Sequence, residues 1–228
     1  MIVGTFPLSI ADKLERLIRF AFGPVFGRAL VGTFHRTLAA AGPVTLIHDE
    51  FTGADGTALT SHAIAPTNTP ATSWTAVSGT WQIQSNTAQL VSTDPNATKS
   101  ATVDAGVADA VVSVDMTIPA AGSFAAGIIA RSQGAAYWEC FYWNLARSQL
   151  VLRESGGTVR ASANVTLTGT ETMEVTLDGA SITIAMGGET INYLSASANQ
   201  TVEVHGLLTY RSTVGYNVVP LDNFKVVG

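Results

Sequence analysis

From Val44 onward, apolar and polar side chains alternate in short runs broken by turn signals, and this period of two most restricts the fold. The runs include Trp81-Gln82-Ile83-Gln84, Ala88-Gln89-Leu90-Val91 and Val111-Val112-Ser113-Val114-Asp115-Met116. Val175-Thr176-Leu177, Ser181-Ile182-Thr183-Ile184-Ala185-Met186 and Thr201-Val202-Glu203-Val204 continue the pattern. Between the runs stand Ser78-Gly79, Ser85-Asn86, Asp94-Pro95-Asn96, Gly156-Gly157, Asp178-Gly179, Gly187-Gly188 and Gly215. Leu177-Asp178-Gly179-Ala180, set between two alternating runs, predicts a tight hairpin. Short strands with frequent turns imply an all-β, two-sheet antiparallel sandwich or jelly roll of roughly twelve to fourteen strands. No repeat of fixed period is present, which excludes propellers and solenoids.

Residues 1–44 follow a different rule. Ser9-Ile10-Ala11-Asp12 has the form of a helix start, and Ile10, Leu14, Leu17, Ile18, Ala21, Phe22 and Val25 recur at helical spacing. Gly23-Pro24 ends or kinks that helix, and a weaker helical stretch is expected from Val25 to Ala41. The arm holds five basic and two acidic residues, a net of +3, against seven basic and fifteen acidic beyond it, a net of −8. Two segments are therefore expected, a short helical N-terminal arm (1–44) and a β-sandwich domain (45–228).

Asp12, Lys13, Glu15, Arg16 and Arg19 interrupt the arm's apolar stripe, so it reads neither as a secretory signal nor as a transmembrane span. An in-plane amphipathic helix is open to it, but a membrane role is the weaker expectation. Packing through Leu14, Leu17, Ile18, Phe22 and Phe26 onto a neighbouring subunit or onto the chain's own β domain is the stronger one. An overall charge of −5 argues against nucleic acid. The single cysteine, Cys140, permits neither an internal disulfide nor a cysteine-based zinc finger, and its apolar surroundings predict a buried, inert thiol.

The order of motifs carries a resemblance. His48-Asp49-Glu50-Phe51-Thr52-Gly53 opens with an acid-Phe pair, and Ser78-Gly79-Thr80-Trp81-Gln82-Ile83 follows. Ala126-Gly127-Ile128-Ile129-Ala130-Arg131, the aromatic run Tyr137 to Trp143, and Gln149-Leu150-Val151-Leu152-Arg153-Glu154 come next. Val219-Pro220-Leu221-Asp222-Asn223-Phe224-Lys225-Val226 closes the chain. This succession, over residues 45–228, resembles the concanavalin A-like lectin/glucanase superfamily, particularly its laminin-G-like jelly-roll members. The resemblance implies a jelly roll of the kind found in carbohydrate-binding modules, glycoside hydrolases and adhesive parts of phage virions. Glycanases of that superfamily carry a Glu-x-Asp-x-(x)-Glu strand, which Glu139, Glu154, Glu171, Glu174, Glu189 and Glu203 all fail to match. Glu171 and Glu174, at odd spacing, belong on opposite faces of a strand.

Strand parity sets Tyr137, Glu139, Phe141 and Trp143 on one face and Trp138, Cys140 and Tyr142 on the other. Exposed aromatics beside Arg and Asn suit sugars, whose C–H faces stack on aromatic planes while hydroxyls take hydrogen bonds. Arg131, Tyr137, Trp143, Asn144 and Arg153 are the candidate glycan contacts, against core packing or a subunit interface as the plainer reading. The resemblance further implies that acids of the first and last strands approach one another. That makes Asp49, Glu50 and Asp222 candidate calcium ligands, with backbone carbonyls needed to complete the shell. The expected function is a non-enzymatic structural and adhesion protein of a larger assembly, a phage virion protein on capsid or tail. Its partners would be neighbouring subunits and cell-surface glycans. The alternative is a soluble carbohydrate-binding module or divergent glycan-active enzyme.

Overall fold

A computed structural model describes residues 42–64, 73–91, 97–120, 122–144, 148–211 and 218–228. The chain divides into two compact units, Met1–Val44 and Thr45–Gly228. The helical reading of the arm, and the contacts assigned to Leu14, Leu17, Ile18, Phe22 and Phe26, lie outside the described residues.

The second unit is a sandwich of two antiparallel sheets. One sheet holds β1 (Thr45–Asp49), β3 (Trp81–Gln84), β4 (Thr87–Leu90), β6 (Ala110–Ile118), β11 (Gly169–Asp178), β12 (Ser181–Met186), β13 (Glu189–Tyr193) and β15 (Leu221–Val227). Its order is β13-β12-β11-β6-β15-β4-β3, with β1 also paired to β15. The other holds β2 (Thr75–Ala76), β5 (Ala97–Asp104), β7 (Phe124–Gln133), β8 (Ala136–Asn144), β9 (Ser148–Glu154), β10 (Thr158–Asn164) and β14 (Val204–Arg211). It runs β10-β9-β8-β7-β14-β5-β2. The helix found among the described residues is a single 3-10 turn, Leu59–Ser61.

Alternation fills the space between the sheets. Val112, Val114 and Met116 of β6, Met173, Val175 and Leu177 of β11, and Ile182, Ile184 and Met186 of β12 face inward. Opposite them lie Ala126, Ile128, Ala130, Trp138, Cys140, Tyr142, Leu150 and Leu152. Each large side chain so buried contributes about 1.5–3 kcal/mol. The Asp178-Gly179 hairpin forms as its sequence predicts, with Asp178 paired to Ser181. The run at Thr201 does not: β14 begins at Val204, because Val202 N–H donates to Asn199 O and closes a turn there.

The second sheet is bent. Glu139 of β8 accepts a 2.9 Å hydrogen bond from Thr98 Oγ1 of β5, although β7 and β14 run between those strands. On a flat sheet, three strand spacings put them about 14 Å apart, beyond the combined reach of the two side chains. Gly127 and Gly206, on the two intervening strands, permit the bend. A Cβ on either would come within 2.2 or 2.0 Å of a neighbouring strand's carbonyl oxygen. The face opposite the core is thereby curled into a groove.

Candidate functional site

The groove is built from β8 outward. Trp138, Cys140 and Tyr142 occupy the core, so Tyr137, Glu139, Phe141 and Trp143 face the other way. Register sets Trp143 beside Ala125 of β7 and Gln149 of β9, Phe141 beside Gly127 and Val151, and Glu139 beside Ile129 and Arg153. From β14, Tyr210 pairs with Ala125 and Leu208 with Gly127. The outer face of a sandwich sheet is ordinarily polar. Here it carries a second apolar cluster of Ala125, Ile129, Phe141, Val151 and Leu208, flanked by half-buried Tyr137, Trp143 and Tyr210.

One ion pair is set into this cluster. Arg153 Nε donates to Glu139 Oε2, and the guanidinium carbon lies 5.1 Å from the centroid of the Phe141 ring. Glu139 is 3% exposed, and with Thr98 on its second oxygen both carboxylate oxygens are engaged. Phe141 and Trp143 stand 6.3 Å apart at 56°. Burial, then the Glu139 charge, pushes the Tyr137 phenol above its ordinary range, so its hydroxyl stays protonated. A cavity of about 100 Å³ opens between Ala125, Phe141, Trp143, Arg153, Leu208 and Tyr210. Trp143 is one of the lining residues, and its indole N–H is buried behind the cavity surface with no acceptor among the described residues. Beyond Trp143 a polar shelf continues over Ser148, Gln149, Asn164 and Thr166, where Gln149 Nε2 donates to Asn164 Oδ1 at 2.9 Å.

Three of the residues nominated from sequence, Tyr137, Trp143 and Arg153, meet in this groove. Phe141, Leu208, Tyr210, Ala125 and the Glu139–Arg153 pair complete it without having been nominated. Strand parity already grouped Glu139 and Phe141 with Tyr137 and Trp143, but no local signal joins β14 to β8. Asn144 stands on the opposite parity at the end of β8, where its side chain accepts a 3.3 Å bond from Ser148 Oγ.

Arg131 is a correction. Parity with Ile129 would put it on the groove face, but the register shifts between Ala130 and Gln133, and Arg131 adopts φ +48°. This β-bulge turns the side chain inward, where it is fully buried. Its guanidinium donates to Ala108 O at 3.3 Å, Gly179 O at 2.7 Å and Asp109 Oδ1 at 2.8 Å. Its backbone N–H donates to His205 Nδ1 at 3.2 Å, while His205 Nε2 lies 2.9 Å from Val107 O. That pair of contacts fixes a neutral imidazole with its proton on Nε2. Arg131 therefore clamps the β11–β12 turn to the second sheet.

The proposed calcium ligands do not fit an ion. Asp49 is 3% exposed and fully engaged, by His62 Nε2 at 2.8 Å, Phe51 N–H at 2.9 Å and Trp74 Nε1 at 2.7 Å. Glu50 is exposed beside His48, and Asp222 accepts from Asn223 N–H at 2.8 Å. Burial, with Asp115, Glu50 and Asp49 adding to it, holds the Asp222 carboxyl above the usual range. Among the described residues, no three His, Cys, Asp or Glu gather as a metal site would require. Asp49 instead ties β1 to the segment before β2. Cys140 is fully buried, and burial raises its thiol far above the ordinary value.

No family model matches the sequence, and no curated protein matches it. Solved structures do match the fold. The Crh5 transglycosylase aligns with a TM-score of 0.53 at 12% identity, over 82% of this chain and 87% of that one. A Bacillus subtilis protein of unknown function with a galectin-like fold gives 0.52 at 13%, over 79% and 97%. The Bacillus licheniformis β-glucanase gives 0.51 at 12%, over 82% and 98%. The chain thus has a concanavalin A/galectin-like jelly-roll fold. No helix among the described residues is long and apolar enough to cross a membrane.

Proposed function

We propose that the β domain is a non-catalytic carbohydrate-binding module that takes sugar in the groove over β7, β8, β9 and β14. The observation that carries this reading is the apolar cluster on the outer face of the second sheet. Aromatic side chains flank it and one guanidinium lies across it. Tyr137, Trp143 and Tyr210 offer faces for sugar C–H groups, and Arg153 and Tyr210 offer polar atoms for hydroxyls. The absence of catalysis is supported by the groove's carboxylates. Among the described residues that line the groove Glu139 is the one carboxylate, with Asp104 at the far end of β5, and both Glu139 oxygens are engaged, whereas glycoside hydrolysis ordinarily needs a pair.

A glycan array followed by calorimetry tests the reading. Trp143→Ala is expected to lower affinity for the bound glycan at least about tenfold, as loss of a stacking aromatic does at a binding centre. Silence of the native protein across the array overturns it, as does hydrolysis of a bound glycan for the non-catalytic part. The basic, Phe-rich residues 1–44 support attachment of the module to neighbouring subunits, as in a virion. Light scattering of the full chain against one beginning at Val44 tests that setting, and equal particle sizes overturn it.

A further inference from the structure

We propose that the cavity beside Trp143 receives the acetamido group of an N-acetylated amino sugar, an inference that rests on the glycan reading of the groove. Size is the first argument. An enclosed cavity of about 150 Å³ takes benzene, six heavy atoms, so the cavity here, about 100 Å³ and open to the groove on one side, has room below the groove surface for about four. A pyranose with its hydroxyls is larger than that. An acetamido group, with its nitrogen, carbonyl carbon, oxygen and methyl, is the right size.

Lining chemistry agrees with size. Ala125, Phe141 and Leu208 give the cavity an apolar wall for the methyl group. Trp143, whose ring lines the cavity, carries just behind that surface a buried N–H that lacks an acceptor among the described residues. A buried donor left unpaired is costly, and a small turn of the indole toward a bound carbonyl oxygen satisfies it. The free amine of the same sugar is disfavoured. As an ammonium it would face the Arg153 guanidinium, and both Glu139 oxygens are already taken by Arg153 and Thr98. A carboxylated sugar gains little from Arg153, because Glu139 already balances that guanidinium. Tyr137 and Tyr210 then flank the ring, which stays above the cavity.

Calorimetry on the full chain with four probes tests this. They are the β-1,4 trimer of N-acetylglucosamine, N-acetylgalactosamine, the trimer of glucosamine and the trimer of glucose. At least one acetylated probe is expected to bind about tenfold or more tightly than both unacetylated trimers, the usual effect of one buried hydrogen bond with its apolar contact. Saturation transfer from protein to ligand is expected to be strongest at the acetyl methyl. Trp143→Phe keeps the ring but removes the N–H, and should bring the acetylated probe close to the unacetylated ones. Ala125→Val, which fills the cavity floor, should do the same and is checked for folding by its melting transition. Equal binding of glucose and acetylated trimers overturns the acetamido assignment and leaves the glycan reading standing. Absence of binding to any glycan overturns both.

Discussion

Arg131 and Arg153 sit on adjoining parts of one sheet, and both suit a sugar site when read from sequence, yet they do opposite work. Arg131 is sealed inside, with its guanidinium shared among two carbonyls and Asp109, and its backbone N–H bonded to His205. Arg153 lies along the groove, 24% exposed, stacked on Phe141 and paired with Glu139. What separates them is a single β-bulge. The extra residue in β7 reverses the side on which Arg131 emerges, while β9 keeps regular alternation through Arg153. Position in the pleat thus assigns one arginine to architecture and leaves the other free to meet a ligand.

The largest effect expected from that contrast is on stability. Arg131→Ala leaves the Ala108 and Gly179 carbonyls without their donor and opens a void, and should cost about 3–4 kcal/mol, read as a fall in urea midpoint. Glycan affinity should be unaffected. If the variant unfolds at the native midpoint, the clamp assignment fails.

The second effect is pH-dependent. Burial, reinforced by the Arg131 charge, lowers His205 from 6.5 to about 4. Between those values the unfolded chain binds the extra proton and the folded one does not. Stability from this group is therefore complete above about 6.5 and lost as pH falls toward 4, by roughly 3 kcal/mol at most. Urea titrations at pH 7 and pH 5 should show about 2 kcal/mol of that loss in the native protein and a smaller change in His205→Gln. An equal loss in both would mean that other groups carry it.

On the groove side the order of effects reverses. Arg153→Met should weaken glycan binding about tenfold. In the double variant Arg153→Met/Glu139→Gln stability should change by no more than about 1–2 kcal/mol, because both members of the pair are removed together. A large stability loss with intact binding would make the pair architectural, like Arg131. The smallest effect is at Cys140, whose buried, protonated thiol should resist iodoacetamide in the folded protein and react once it is denatured. Mass spectrometry at matched times reads the difference.

Much of this was legible from residue order. The alternating runs give their strands, Asp178-Gly179 gives its hairpin, and the parity of Tyr137 to Trp143 correctly separates a core-facing set from a groove-facing set. Trp143 and Tyr137 could be nominated because aromatics on one strand face are a local pattern, and Arg153 because it stands in the next strand along the chain. Asp49 was misread for a related reason: an acid in the first strand looks available until His62 and Trp74 arrive to occupy it.

Local order, then, determined the all-β class and which residues of each strand share a face, because a period of two is a property of neighbouring residues. Tertiary structure decided the rest. Only pairing between distant strands could bring Tyr210 and Leu208 to Trp143, bend the sheet at Gly127 and Gly206, and turn Arg131 inward at a bulge. Register and curvature depend on contacts across the sheet, and no local pattern in one chain segment encodes them.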